Sequence, residues 1–101
     1  MSTQTSQQPG LNWQTVAAGE TATPLVATGV GSYLSHIVIQ PAATTAGTVI
    51  VYDNATAIYT YTTGTLADLS PKTVPFGCRA RIGAFKITTG ATVAVAAFFT
   101  P

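Results

Sequence analysis

The chain has 101 residues, of which 47% are hydrophobic and only 7% charged, with a formal net charge of +1. That length suits one domain with one core, and the near-neutral balance excludes a general attraction to nucleic acid or to acidic membranes. Soluble domains usually carry about 25% charged residues; a coat of Thr, Ser, Ala, Gly and Gln repels its copies weakly, which fits an isolated cytosolic monomer poorly and a subunit packed against neighbours well.

Met1–Gly10 is polar and ends in Pro-Gly. It has neither the basic region nor the apolar core of a secretion signal, and is expected to be a flexible N-terminal arm ahead of a domain over 11–101. No run of 18 apolar residues follows, so no membrane-spanning helix is expected. Leu11, Trp13 and Val16 anchor the next segment. Trp13, the sole tryptophan, either closes one end of the core or serves as a partner-interface anchor, since Trp is over-represented at interface hot spots. Gly19–Thr23 reads as a turn and Pro24–Thr28 as a short strand broken by Gly29-Val30-Gly31. Tyr33–Gln40 reads as a central strand, with Tyr33, Ile37 and Ile39 on one face and Leu34 and Val38 on the other. Pro41–Gly47 is a small-residue loop.

Thr48–Thr62 holds two β-branched and aromatic runs, Thr48–Tyr52 and Ala57–Thr62, around Asp53-Asn54-Ala55-Thr56. Val, Ile, Thr and Tyr suit a pleated surface, and Asp and Asn suit a tight turn, so the segment reads as a β-hairpin. A two-residue loop pairs Val51 with Ile58; a three-residue loop with a bulge pairs it with Tyr59. In either register apolar residues fall on both faces, which implies that both are covered.

Gly64–Pro71 is irregular, with Leu66 and Leu69 available to plug one end of the core. Lys72–Phe76 reads as extended, Pro75 arguing for an edge, and Gly77–Ile82 as a further strand. Phe85–Thr88 and Thr92–Phe99 read as strands joined at Thr89-Gly90-Ala91, where Gly permits the positive φ of a tight hairpin. The last strand alternates Val93, Val95, Ala97 and Phe99 against Thr92, Ala94, Ala96 and Phe98. No amphipathic helical period appears. About seven or eight short antiparallel strands predict an all-β fold, a two-sheet β-sandwich or jelly roll.

Chemistry-bearing residues are few. His36 sits in a strand without a spaced partner among Glu20, Asp53 and Asp68, so catalysis is not expected. One histidine and one cysteine make a poor metal set, and no cofactor is expected. Asp53-Asn54 is explained by turn chemistry. Cys78 precludes an internal disulfide; Arg79 beside it would lower its pKa only if the two shared a face, and strand neighbours do not. Arg79-x-Arg81 has the spacing that puts both guanidiniums on one strand face. With Lys72 and Lys86 they form a basic stripe suited to acidic groups on a partner protein. Four cations fall short of a nucleic-acid-binding stripe.

Two stretches, GTVIVYDNATAIYTYT at 47–62 and VPFGCRARIGAFKITTGATVAVAAFF at 74–99, resemble small structural proteins encoded near the capsid genes of tailed bacteriophages. The resemblance implies a decoration or cement subunit: a β-sandwich or jelly roll, dimeric or trimeric, that binds the major capsid protein on the outside of the head after assembly in the host cytoplasm. It implies no catalytic residues. Trp13, Arg79, Arg81 and Lys86 are the residues expected at the partner interface. A tail or head–tail joining component is the alternative within structural proteins. A carbohydrate-binding module stacking sugars on Tyr52, Tyr59 or Tyr61 is the alternative from another class.

Overall fold

A computed structural model describes residues 11–41, 47–62 and 70–101. The expected arm over 1–10 and the expected plug of Leu66 and Leu69 lie outside the described residues. Within them the chain forms eight strands: β1 (Asn12–Val16), β2 (Thr23–Pro24), β3 (Tyr33–Pro41), β4 (Thr48–Asp53), β5 (Thr56–Thr62), β6 (Lys72–Arg79), β7 (Phe85–Thr89) and β8 (Val93–Thr100). They make two four-stranded antiparallel sheets, ordered β1-β8-β3-β6 and β2-β7-β4-β5. The fold is an all-β sandwich, as the patterning predicts.

One rule generates this order. β4 pairs with β5, β3 with β6, β2 with β7 and β1 with β8. Each pair lies one step further from the Asn54-Ala55 turn, and successive pairs fall alternately into the two sheets. The chain is thus a single long hairpin rolled on itself, the jelly-roll arrangement. The cross-pairs β3–β8 and β4–β7 complete the sheets.

The core lies between the sheets and follows from period-two alternation. Val49 and Val51 of β4, Phe85 and Ile87 of β7, and Val93, Val95, Ala97 and Phe99 of β8 all point inward and are buried. Each fully buried Val, Ile, Leu or Phe contributes roughly 1.5–3 kcal/mol relative to its exposed state. The alternation expected for β8 holds residue by residue.

Four local expectations are corrected. In β3 a bulge between Leu34 and His36 shifts the register against both neighbours. It turns Leu34 to the same side as Ile37 and Ile39, and all three are buried, while Val38 is only half-buried. An unbroken strand would have put Leu34 on the opposite face. The hairpin combines the two registers that were open: Asp53 pairs Thr56 across a two-residue turn, and a bulge then brings Val51 opposite Tyr59. The short strand expected over Pro24–Thr28 is instead Thr23–Pro24, sharing Pro24 alone with the expected span. Lys72–Phe76 and Gly77–Ile82 are not two strands, because β6 runs unbroken from Lys72 to Arg79. Gly77 sits within it at φ +61°, and Pro75 lies on a sheet edge, where a missing N–H is tolerated.

β7 and β8 do not form a hairpin; they belong to different sheets. Gly90 between them does not have positive φ. A Cβ there would stand 2.8 Å from the Thr48 backbone nitrogen. Its N–H donates to Thr48 O at 2.7 Å, and its carbonyl accepts Gly19 N–H at 2.9 Å. Glycine is required at this corner for close approach, not for handedness.

Candidate interaction surfaces

The rolled hairpin gathers particular segments at one end of the sandwich: the Asn54-Ala55 turn, the 25–32 connection, the 80–84 connection, the start of β1 and the finish of β8. Short backbone bonds tie these together. Leu25 N–H donates to Phe85 O at 2.8 Å, Gly31 N–H to Ala80 O at 2.9 Å, Ala80 N–H to Ser32 O at 2.8 Å and Asn54 N–H to Ala84 O at 2.8 Å.

Asp53 is the centre of this fastening. Its residue is only 6% exposed, and its carboxylate accepts three successive backbone N–H groups, from Arg81 at 2.8 Å, Ile82 at 3.2 Å and Gly83 at 3.1 Å. Burial acts to raise its pKa, but those donors and the Arg81 charge outweigh it and hold the carboxyl below its ordinary value. Asp53 therefore does more than shape its own turn: it orders the loop that presents Arg81 and Ile82.

All the exposed large apolar side chains among the described residues fall at or near this end: Leu11, Trp13, Val26, Val30, Ile58 and Ile82. Val26 is 70% exposed, Val30 71% and Trp13 69%. Leu11, Trp13, Val26, Ala27 and Phe99 line a depression of about 450 Å³ beside β1. Scattered apolar residues on a surface are ordinary, but their gathering at one pole is a feature of interaction sites. Trp13 lies outward on β1, so it does not close the core. Across that outer sheet face it pairs in register with Phe98, then His36, then Pro75. His36 stacks on Phe98 with ring centroids 4.6 Å apart, and its Nδ1 lies 3.0 Å from Ser35 Oγ.

The expected basic stripe does not exist as a strand face. β6 ends at Arg79, and Arg81 lies in the bend that follows. Arg79 is on one sheet and Lys86, outward on β7, is on the other. Lys72 is at the opposite end of β6. What the fold brings together is Arg79, Arg81 and Lys86 around the apolar pole. Arg79 donates to Gly31 O at 3.0 Å and lies 5.7 Å from the Tyr33 ring centroid, a contact that holds the guanidinium at the surface. Among the described residues, the acid of this pole is Asp53, which is occupied by backbone donors, and Glu20 is at the far end, where its carbonyl accepts Thr89 N–H.

The tyrosines expected for sugar stacking are otherwise engaged. Tyr59 and Tyr61 face inward against the core, Tyr59 meeting Phe76 edge-on at 5.4 Å. The Tyr52 hydroxyl accepts a hydrogen bond from Thr88 Oγ1 at 3.1 Å. Cys78 also faces inward; burial and then the Asp53 charge push its thiol pKa up. Among the described residues, no three His, Cys, Asp or Glu side chains group as metal ligands do.

The sequence points to Trp13, Arg79, Arg81 and Lys86 as expected interface residues and does not single out Val26, Val30 and Ile82, which the fold exposes at the same pole. The available signal was an apolar residue beside glycine, in Gly29-Val30-Gly31 and Ile82-Gly83, where a loop has no core to reach. Comparisons with protein-family models, curated proteins and solved structures find no match.

Proposed function

We propose that this protein is a virion structural subunit, a decoration protein that docks on the outside of a phage head and stabilises the shell without making or breaking bonds. The observation that carries the reading is the pole itself: exposed Val26, Val30, Ile82 and Trp13 ringed by Arg79, Arg81 and Lys86. That surface fits an apolar patch on the major capsid protein edged with carboxylates. Burial of apolar area gives about 25 cal/mol per Å², and association entropy removes much of it for one copy. Many copies on one shell restore the effect by multivalency. Jelly rolls serve both capsid and lectin proteins, so the fold alone does not choose between them.

Cosedimentation with undecorated head shells of the parent phage tests the reading. Wild-type protein is expected to pellet with shells, and the Val30→Asp/Ile82→Asp double variant to lose about tenfold or more in affinity. Equal retention of the two would overturn it. Retention on tails and not on heads would favour the joining-component alternative. One observation favours sugar binding, the outward row Trp13, Phe98 and His36; glycan-array binding abolished by Trp13→Ala would favour that reading instead.

A further inference from the structure

Among the described residues, the two long sides of the sandwich are covered unequally. On the β1/β2 side, Gln14 spans the sheets: its Nε2 donates to Pro24 O at 3.0 Å and its Oε1 accepts Val26 N–H at 2.8 Å. Val16 and Leu25 behind it are fully buried. On the β5/β6 side the inward residues Tyr59, Tyr61, Val74, Phe76 and Cys78 are only partly buried.

The two strands that border this side differ sharply. β6 carries Lys72 and Arg79 at its ends, Pro75 in its middle and Gly77 at φ +61°. Those are the devices that keep a sheet edge from pairing. β5, read TAIYTYT, is seven residues long and has no charge, proline or glycine. Alternate residues of an edge strand turn their N–H and C=O groups away from the sheet, and the outer edge of β5 makes no backbone hydrogen bond to another described residue. Its single irregularity is the bulge near Ile58, which leaves Tyr59–Thr62 regular.

We infer that β5 pairs antiparallel with β5 of a second copy about a twofold axis, joining two four-stranded sheets into one of eight strands. A second copy is the occupant the strand itself specifies. An antiparallel edge is self-complementary under a twofold, and β5 has no charge to repel its copy, only exposed Thr60 and Thr62 to set beside their equivalents. The same approach brings the half-covered Tyr59, Tyr61 and Phe76 of the two copies together. This interface is separate from the apolar pole and does not depend on the docking reading.

Sedimentation equilibrium on the full chain tests it. Wild-type protein is expected at twice the 10.3 kDa chain mass. Thr60→Lys/Thr62→Lys, at exposed positions, is expected at the monomer mass with its thermal midpoint within a few degrees. Trp13→Ala is expected to stay dimeric. A monomeric wild type would overturn the inference. So would a dimer that survives both lysines, or one lost on Trp13→Ala but kept with the lysines. Should the lysine variant not fold, amide exchange on the wild type decides: pairing protects consecutive amides across Tyr59–Thr62, and a free edge protects alternate ones only.

Discussion

The backbone N–H of Arg81 donates to Asp53 Oδ2 at 2.8 Å, and this bond joins the tip of the rolled hairpin to the loop at its mouth. With Ile82 and Gly83 also bonded to the same carboxylate, Asp53 ties down three successive backbone N–H groups of the pole. Replacing it by alanine leaves three part-buried N–H groups without their acceptor and should cost about 1–3 kcal/mol, read as a fall in the denaturation midpoint. Asp53→Asn keeps an acceptor and should cost less.

The same residue sets an acid dependence. Its folded pKa is depressed, so its contribution is fully present above the unfolded value of about 3.9 and is lost as pH falls through the folded one. Wild-type stability should therefore decline below about pH 4. In Asp53→Asn that part of the decline should vanish. Urea midpoints from pH 2 to 7 for the two proteins check it; parallel curves would contradict it.

Gly90 offers a packing test. A Cβ there meets the Thr48 backbone at 2.8 Å, whereas Gly29 has open space around it. Gly90→Ala should destabilise by about 1–3 kcal/mol through overpacking, and Gly29→Ala should change stability little. Comparable thermal midpoints for the two variants would mean that the corner can relax.

The cations at the pole should act on binding rather than on folding. Arg81→Ala with Lys86→Ala is expected to lower the thermal midpoint only slightly, because Arg81 is exposed and Lys86 half-buried, the backbone donors to Asp53 remain, and charges near the surface contribute little to stability. Shell binding should weaken and lose part of its salt dependence. A salt titration of cosedimentation with each protein measures this, and unchanged salt dependence would remove the cations from the interface.

Much of the architecture was legible because period-two alternation is strong in β4, β7 and β8. The failures are physical and local. A bulge in β3 reverses which residues share a face, and no residue between Leu34 and His36 announces it. The Gly90 corner is a turn, closed by Val93 N–H on Gly90 O at 3.3 Å, but it joins two sheets and not a hairpin, and what it needs from glycine is room for the neighbouring Thr48 backbone, a tertiary contact. The Arg79-x-Arg81 spacing implies a shared strand face only if the strand runs through both, and nothing in the run marks its end at Arg79. The pole is hidden in the sequence for a related reason. Val26, Val30 and Ile82 are far apart in sequence and meet only when the hairpin is rolled, and Asp53, read as a turn former, finds its donors 28 to 30 residues away.

Cryo-electron microscopy of head shells mixed with the purified protein is the most direct measurement of how the molecule seats. The 25–32 and 80–84 connections and the Asn54-Ala55 turn should lie against the shell, with the opposite end, marked by Gly90, pointing away. Density seated through that opposite end or through the outer sheet face of His36 and Phe98, or shells left bare, would contradict it.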